Sequence, residues 1–396
     1  MTKLSLRDLS LRGQRVLMRV DFNTPMDEQG HITDDSRIRA TLPSIEYILR
    51  QGGKLILMSH LGRPDGKPDP KYTLAPIRER LSQLLHKPVL FAPDAIGSDT
   101  TRLKDGEILL LENVRFHPGE EEPAKEPHFV NELAKLGDLF VQDAFGSAHR
   151  AHSSTALIAS HFPNASAAGF LLEKEIQALS QLIHHPRHPF FVVMGGAKIA
   201  GKIGVMKKLL KTVDRLFVGG GMAYPFLKAK HLSIGASPSE KGAEAMAQEL
   251  LATFGDKIAL PVDLVVADAF SNDAKTKVIE VKDGIAVGWQ GMDIGPKTIR
   301  QWSEELQRGA TIFWNGPLGV YEMAHFLEGT KQIAKSLSKA AGNVIVGGGD
   351  SVAAIAKSGI DEALFDHISM GGGATLEYIE LEGHLPGIDC LTDKTP

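Results

Sequence analysis

The sequence predicts an α/β protein with two doubly wound, Rossmann-like parallel sheets, one in each of two domains. Short apolar runs alternate with longer amphipathic stretches along the chain, which is the pattern of parallel strands joined by crossover helices. At 396 residues the chain is longer than one hydrophobic core usually supports, about 250 to 300 residues. The residues that follow the strands also change halfway, from arginine and histidine to runs of glycine. Each half therefore has its own sheet and its own kind of strand end.

The apolar spacing predicts the elements in order. In the first half they are strands at 14–22, 54–59, 89–91, 107–111 and 138–142, with helices at 34–50, 75–86 and 128–136. In the second half they are strands at 190–194, 216–218, 262–267, 277–281, 310–320 and 344–346, with helices at 222–230, 240–254 and 296–307 and a strand-turn-helix at 368–380.

Between the halves, residues 168–185 have the spacing of one amphipathic helix that Pro186 would end. We place the boundary there, which gives domain 1–170, a connecting helix at 171–185 and domain 186–383. The helix is equally consistent with the last crossover helix of the first domain, and either interpretation allows it to act as a hinge.

Charged and polar side chains follow the strands of the first half. The carboxyl ends of parallel strands meet at one edge of a sheet, so these side chains are expected to lie together. Arginine suits carboxylate and phosphate because its planar fork donates two parallel hydrogen bonds. We therefore expect a site for a small, multiply charged anion, in which His149 and His152 are polar loop residues without acidic neighbours at metal-ligand spacing. The set is Arg19, Asp21, Asn23, Arg37, His60, Arg63, Arg115, His149, Arg150 and His152.

Glycine turns follow the strands of the second half. In VIVGGGDSVAAIAK, at 344–357, a strand runs through three glycines into a helix that Asp350 and Ser351 can cap. Glycine lets a ligand approach the backbone, and the amides and dipole at a helix start favour an anion such as phosphate. Similar turns occur in GGAK, GGGMA and MGGGA.

Two familiar nucleotide-binding motifs are only partly matched. The loop 196–202 resembles a P-loop, but Ile203 stands where that motif needs a hydroxyl for Mg²⁺. The dinucleotide fingerprint fails because Tyr224 and Val352 stand at its third glycine. The first mismatch argues against a P-loop NTPase, and the second argues against a dehydrogenase. What remains is a pair of lysines, Lys198 and Lys202, beside glycine turns.

Composition excludes other classes of protein. With 44 Lys and Arg against 48 Asp and Glu, the net charge of -4 offers no general basic surface for nucleic acid or membrane. Cys390 is the only cysteine, and no charged-then-apolar segment opens the chain as a signal peptide would, so a cytoplasmic location is expected. The apolar runs are far shorter than the roughly 20 residues that cross a bilayer.

Nine segments of the chain, in order and spacing, resemble the phosphoglycerate kinase family from end to end. They are RVDFNTP, SHLGRP, LLENVRFH, DAFGSAHRAHSS, GGAKIAGK, LPVD, WNGPLGVYE, GGGDS and GGGATLE. The resemblance implies reversible transfer of the acyl phosphate of 1,3-bisphosphoglycerate to MgADP, giving ATP and 3-phosphoglycerate in glycolysis and gluconeogenesis, by domain closure and without a general base. It also implies a monomer, and a C-terminal tail at 384–396 that packs on the first domain.

The resemblance also implies a role for individual residues. Phosphoglycerate binding is implied for Asp21, Asn23, Arg37, His60, Arg63, Arg115 and Arg150. Nucleotide binding is implied for Lys202, Gly291, Glu322, Gly348, Gly349, Asp350 and Ser351, with Asp350 toward Mg²⁺. Catalytic roles are implied for Arg19, Lys198, Lys202, Gly349 and Gly372.

The sequence departs from the family pattern at two positions, and two other functions remain open. Gly201 stands where many members have Asp, and Met370 where Thr is usual. Neither removes a group that the chemistry needs. The alternatives to the kinase are a P-loop-like NTPase and a nucleotide-binding protein that has lost turnover.

Overall fold

The structure is a computed structural model that describes residues 3–394, so the ends of the predicted first domain and tail, residues 1–2 and 395–396, lie outside it. The chain divides into two compact units. Unit 1 is Met1–Gln177 with His384–Pro396, and unit 2 is Ala178–Gly383. The division falls inside the helix Phe170–His184, which we expected to connect two domains.

Unit 1 is built on a six-stranded parallel sheet in the order β3-β4-β2-β1-β5-β6. Its strands are β1 (Arg15–Arg19), β2 (Lys54–Met58), β3 (Leu90–Phe91), β4 (Ile108–Leu110), β5 (Leu139–Gln142) and β6 (Ser166–Ala168). The helices are α1 (Ser36–Arg50), α2 (Ala75–Leu85), α3 (Pro118–Glu121), α4 (Phe129–Ala134) and the first part of α5 (Phe170–His184).

Unit 2 repeats this plan with a second six-stranded parallel sheet in the order β15-β14-β13-β7-β8-β9. Its strands are β7 (Phe190–Met194), β8 (Arg215–Val218), β9 (Ile258–Ala259), β13 (Thr311–Asn315), β14 (Asn343–Gly347) and β15 (His367–Ser369). The helices are α6 (Ile203–Leu210), α7 (Ala223–Ala229), α8 (Ala243–Phe254), α9 (Pro296–Leu306), α10 (Glu328–Leu337), α11 (Gly349–Lys357) and α12 (Gly373–Glu380).

One part of unit 2 differs from the predicted parallel arrangement. The strands expected at 262–267 and 277–281 are β10 (Asp263–Ala267) and β11 (Thr276–Glu280), and they pair antiparallel with each other. A further strand, β12 (Gln290–Ile294), pairs antiparallel on the other side of β10. Only a short loop separates β10 from β11, which leaves no room for the crossover helix that a parallel pair would need.

In each unit the strand order reverses between two neighbouring strands of the sheet. In unit 1 the chain leaves β1 toward β2 on one side and later returns to add β5 on the other. In unit 2 the same reversal occurs between β7 and β13. Loops diverge at such a reversal and leave a crevice at the carboxyl ends of the two strands, where open α/β sheets bind ligands.

The apolar core of unit 1 explains why β1 is buried on both faces. Val16 and Met18 belong to a cluster that α1 and α2 cover, whereas Leu17 points to the opposite face and is also fully buried. A strand covered on both faces needs a continuous apolar run, and RVLMR supplies it up to Arg19. The strand predicted at 14–22 ends at that arginine.

The C-terminal tail returns to unit 1. Its helix α13 (Pro386–Asp389) begins where Gly387 N donates to the carbonyl of Ala148, at 2.8 Å. Further on, Leu4 N donates to the carbonyl of Thr392, also at 2.8 Å. Leu385, Ile388 and Leu391 are buried. The tail therefore contributes both hydrogen bonds and apolar surface to the first unit.

We expect Leu385→Ala to destabilise unit 1 by about 2 to 5 kcal/mol, because the side chain is fully buried and its loss leaves a cavity. The matched control is Leu381→Ala, which is 45% exposed and should change stability by no more than about 0.5 kcal/mol. All three tryptophans lie in unit 2, so their fluorescence would not report on unit 1. Hydrogen exchange of the β5 and β6 amides measures the stability of unit 1 instead. Equal protection in both variants would contradict the packing of the tail.

Candidate active site

Arg19 lies at the carboxyl end of β1, at the strand reversal of unit 1, and is almost completely buried. Its Nε donates to Ser154 Oγ at 2.8 Å and one terminal nitrogen donates to the carbonyl of Val20. The other terminal nitrogen lies 3.0 Å from His60 Nδ1, which must accept because an arginine only donates. Neighbouring groups therefore fix the guanidinium in one place.

The His60 imidazole is held neutral. Burial, followed by the nearby charges of Arg19, Arg115 and Arg37, lowers its pKa well below the ordinary value. With Nδ1 accepting, the ring proton sits on Nε2. His60 therefore acts as a hydrogen-bonding group within a cationic cluster and adds no positive charge of its own.

Asp21 and Asn23, which follow β1, organise the neighbouring loops. Asp21 pairs with Arg37 of α1, and Asn23 Oδ1 accepts from Gly62 N at 2.9 Å. Arg115 holds the other side of the same loop, because it donates to the carbonyl of Gly62 at 2.8 Å. The loop after β2 is therefore clamped from two sides.

The remaining predicted arginines complete a positive cluster. Arg115 is buried and pairs with Glu121 at 2.9 Å, and its pKa is lowered by burial and by the charges of Arg150 and Arg63. Arg63 is exposed and Arg150 half-buried, so both can reach a ligand at the surface. The structure thus brings the predicted first-half residues within electrostatic reach of one another.

The two loop histidines belong to the same region. Burial and the charges of Arg115 and Arg150 lower the pKa of His152 to about 4, so it is neutral near pH 7. His149 is half-buried and has an interaction partner. Across residues 3–394 no cluster of three or more His, Cys, Asp or Glu side chains is placed to hold a metal ion.

Lys202 occupies the corresponding place in unit 2, where β7 and β13 end side by side. Gly195 N donates to the carbonyl of Asn315 at 2.9 Å, and Lys202 Nζ donates to the carbonyl of Gly195 at 2.8 Å. Burial lowers the pKa of Lys202 to about 8, against the opposing effect of Asp350. Lys198, in the same loop, is exposed. One lysine is therefore fixed and the other is free to reach a ligand.

The GGGDS turn lies beside Lys202 and opens α11. Gly348 has φ +95°, a left-handed conformation that glycine adopts without strain. A Cβ at Gly349 would meet no atom within 4 Å, so the start of the helix faces open space that a bound group can fill. Asp350 is exposed beside it, 3.4 Å from the hydroxyl of Tyr321.

Ser351 points inward. Its hydroxyl accepts from Gly316 N at 2.6 Å and donates to the carbonyl of Gly347 at 2.8 Å, and it is fully buried. This serine therefore ties the GGGDS turn to the loop after β13. Its predicted contact with a nucleotide remains a prediction, and its side chain serves to shape the turn.

The remaining predicted site positions of unit 2 are Gly372, Gly291 and Glu322. Gly372 has φ +54° and precedes α12, again with no atom within 4 Å of an added Cβ. Gly291 lies in β12, where a Cβ would come within 2.3 Å of the hydroxyl of Tyr224. Glu322 is exposed, and its carbonyl accepts from Lys357 at 2.6 Å.

The departure at Gly201 is accommodated, because a Cβ there would meet no atom within 4 Å. The aspartate that many family members have would therefore fit at this position. Met370 lies just before the glycines that open α12 and has an interaction partner.

The exposed carboxylate of Asp350 has the chemistry of a magnesium ligand. Mg²⁺ is usually held by one or two carboxylates together with substrate phosphates, and it keeps several waters. An exposed carboxylate at a glycine-opened helix start supplies one such ligand and leaves room for phosphates.

The sequence did not predict two residues that are linked to Arg19. Ser154 contacts Arg19 directly, and Glu120 is linked to it through Ser154. Glu120 is fully buried and accepts from Ser154 Oγ at 2.7 Å. Nothing in the local sequence distinguishes Glu120 from its acidic neighbours, because the three follow one another in FHPGEEE. Only the fold shows which of them turns inward.

Two parallel-sheet units with a cation at each strand reversal, and glycine-opened helix starts in one of them, are typical of α/β enzymes that bind phosphorylated ligands. The phosphoglycerate kinase family profile matches residues 6–383. The chain belongs to this family of phosphotransferases.

Individual relatives agree along the full length. The chain is 50% identical over 406 residues to phosphoglycerate kinase of Chloroflexus aggregans, covering 99% of this chain and 100% of the relative. It is 46% identical over 401 residues to that of Pseudothermotoga lettingae, with 100% of each covered. The structure of phosphoglycerate kinase from Coxiella burnetii superposes with a TM-score of 0.87 at 39% identity, covering 98% of both chains.

Across residues 3–394, no helix combines the length and the apolar character needed to cross a bilayer.

The site also contains a buried carboxyl that should make stability depend on pH. Asp143 follows β5, its amide donates to the carbonyl of Arg19 at 2.8 Å, and its carboxylate accepts from Leu172 N in the first turn of α5. Burial raises its pKa from 3.8 to about 7. The protonated form of Asp143 is favoured in the folded chain. Its contribution to the free energy of unfolding is therefore complete below pH 3.8 and is lost as pH rises through about 7.

We expect Asp143→Asn, which cannot ionise, to reduce the fall in the free energy of unfolding between pH 5 and pH 8. The control is Asp99→Asn, since hydrogen bonds from Thr101 hold the pKa of Asp99 below its ordinary value and outside this range. Urea denaturation at a series of pH values measures both. A variant with the same pH dependence as the wild type would contradict the raised pKa.

Proposed function

We propose that this chain catalyses the reversible transfer of the acyl phosphate of 1,3-bisphosphoglycerate to MgADP, giving ATP and 3-phosphoglycerate. The observation that carries the proposal is the cation at each reversal of strand order. Buried Arg19 lies at the reversal of unit 1, and Lys202 lies at that of unit 2. Membership of the phosphoglycerate kinase family supports the same conclusion.

Unit 1 binds the phosphoglycerate in this proposal. Its cluster offers a planar guanidinium at Arg37, Arg63, Arg115 and Arg150 for a phosphate that carries nearly two negative charges. Asp21 fixes Arg37, and the clamped loop after β2 presents neutral His60 beside them. Asn23 completes the set of hydrogen-bonding groups at the end of β1.

Unit 2 binds the nucleotide. Lys202 and the open helix starts at Gly348–Ser351 and Gly372 supply positive charge and free approach for phosphates. Gly291 and Glu322 are proposed to contact the nucleotide as well. Asp350 would hold Mg²⁺, which when bound neutralises charge on the nucleotide phosphates.

The chemistry needs no general base. In the direction that consumes ATP the nucleophile is a carboxylate with an ordinary pKa of about 4, which is already ionised at neutral pH. The chain must instead align the reacting atoms and place positive charge around the equatorial oxygens of the transferring phosphoryl group. Arg19, Lys198, Lys202 and the amides near Gly349 and Gly372 supply that charge.

Phosphoryl transfer also requires the two sets of groups to come together. The reacting atoms must approach to about 3 to 3.5 Å, with water excluded so that the acyl phosphate is not hydrolysed. The phosphoglycerate groups lie in unit 1 and the nucleotide groups in unit 2. We propose that the units close as rigid bodies, with the bend absorbed at element ends such as Gly169 and Pro186.

The protein is proposed to act as a cytoplasmic monomer. The single cysteine, Cys390, supports a reducing compartment, and the family resemblance supports the oligomeric state.

A coupled assay for ATP formation from 1,3-bisphosphoglycerate and MgADP tests the proposal. Turnover that needs both substrates supports it. ATP hydrolysis without phosphoglycerate would favour a P-loop-like NTPase, and nucleotide binding without turnover would favour a catalytically silent protein. Either of these results would overturn the proposal.

We expect Arg19→Ala to lower kcat far more than it raises the KM for either substrate, because a buried cation acts chiefly on charge that develops during transfer. Loss of one such group costs about 100- to 1,000-fold in kcat. Steady-state kinetics measures the division between kcat and KM. A loss entirely in KM would show that Arg19 is a binding residue.

We expect Asp350→Asn to weaken MgADP binding by about tenfold or more and to leave 3-phosphoglycerate binding nearly unchanged, because a neutral amide is a poorer ligand for a hard cation. Titration calorimetry with each ligand measures both affinities. Ser338→Ala provides a control in the same unit, because its hydroxyl is exposed and bonds only within its own helix turn. Unaltered MgADP affinity in Asp350→Asn would remove the proposed role.

A further inference from the structure

A buried chain of hydrogen bonds runs from Arg19 through Ser154 to the carboxylate of Glu120. Arg19 Nε donates to Ser154 Oγ at 2.8 Å, and Ser154 Oγ donates to Glu120 Oε1 at 2.7 Å. Arg19 is 1% exposed, and Ser154 and Glu120 are each 0% exposed. Solvent therefore reaches none of the three residues appreciably.

The loop that carries Ser154 is fastened to α3 at several points. Ser154 N donates to Glu120 Oε2 at 2.9 Å. Ser153 adds two bonds, from its amide to the carbonyl of Glu120 at 3.0 Å and from its hydroxyl to the carbonyl of Gly119 at 2.6 Å. Both oxygens of the Glu120 carboxylate and the adjacent residues Ser153 and Ser154 are thus held in fixed positions.

This arrangement gives the Ser154 hydroxyl a direction. A hydroxyl has one hydrogen to donate, and here the hydrogen is committed to Glu120. The oxygen is left to accept, and it accepts from Arg19 Nε. The carboxylate therefore determines that the serine faces the arginine with a lone pair and never with its hydrogen.

Charge supports the same interpretation. Arg19 is buried close to Arg115, and a buried cation is costly unless an anion compensates for it. Burial lowers the pKa of Arg19, and among its charged neighbours Glu120 opposes that effect most strongly. Asp21 acts next, but it is already paired with Arg37. Glu120 is therefore the main buried anion available to Arg19.

We propose that Glu120, acting through Ser154, is a positioning residue that holds the Arg19 guanidinium at the end of β1 for phosphoryl transfer. The inference rests on the proposed function, because the position of Arg19 matters for rate only if this arginine acts on the transferring phosphoryl group. Glu120 exchanges no proton in this role and touches no substrate.

The test is a double-mutant cycle with Glu120→Gln and Arg19→Ala. The glutamine keeps the size of the side chain but removes its charge. Its amide oxygen is needed to accept from Ser154 N, so its amide nitrogen would face Ser154 Oγ and the hydroxyl would lose the acceptor that now fixes its hydrogen. We expect kcat to fall about 10- to 100-fold, since small displacements of a catalytic group have effects of this size. The KM for phosphoglycerate should change by less than about threefold. Added to Arg19→Ala, Glu120→Gln should lower kcat no further.

The matched control is Glu112→Gln in the same unit. Glu112 is buried and is also held by a hydroxyl and a backbone amide, from Thr73 Oγ1 at 2.6 Å and Leu74 N at 2.8 Å, but this hydroxyl binds no arginine. The Glu112→Gln variant should be destabilised to a degree similar to the Glu120→Gln variant, and its kcat should be unchanged. Ser154→Ala, which keeps both charges and removes the bridge, repeats the cycle if Glu120→Gln does not fold.

The outcomes separate this inference from the proposed function. The positioning role alone would be overturned if Glu120→Gln still lowered kcat in the Arg19→Ala background. It would also be overturned if Glu120→Gln lowered kcat no more than Glu112→Gln does. A wild-type protein without phosphoglycerate kinase activity would overturn the proposed function and this inference with it.

Discussion

The reversal of strand order in each parallel sheet is the constraint on which the rest of the site depends. Parallel strands place all their carboxyl ends at one edge, and the reversal separates the loops there into a crevice. In unit 1 this point falls between β1 and β5, beside Arg19, and in unit 2 between β7 and β13, beside Lys202. Topology therefore selects one position in each unit where a cation can meet a ligand.

Placing a cation at such a position has an electrostatic cost, and the two units meet it differently. Arg19 is compensated by buried Glu120 through Ser154, and the adjacent His60 stays neutral. Lys202 has no comparable buried carboxylate among its described contacts, since its Nζ bonds to the carbonyl of Gly195, and its pKa falls to about 8. Unit 2 thus offers a lysine whose charge a bound phosphate would stabilise.

Much of the fold and of the site follows from local sequence. The apolar run RVLMR predicts a buried strand, and the arginines and glycine turns are visible because each directly follows a strand. The antiparallel pairing of β10 and β11 was missed, because the apolar content of a strand does not reveal the direction of its neighbour. Helix α10 went unassigned although Ile333 and Leu337 share its buried face. The inward turn of Glu120 and Ser351 could not be predicted, since burial of a polar side chain depends on partners far along the chain.

The central claim is that the ligand groups are divided between two units that must close for transfer to occur. Small-angle X-ray scattering tests this claim most directly, on the free protein, on each binary complex, and on a ternary complex of 3-phosphoglycerate with a non-reacting nucleotide analogue. In the proposed mechanism each ligand alone contacts one unit and has little preference for a closed form, whereas the pair bridges both. The radius of gyration should therefore fall clearly only in the ternary sample. Equal values in all four samples would contradict closure and favour a site that is already assembled in the free protein.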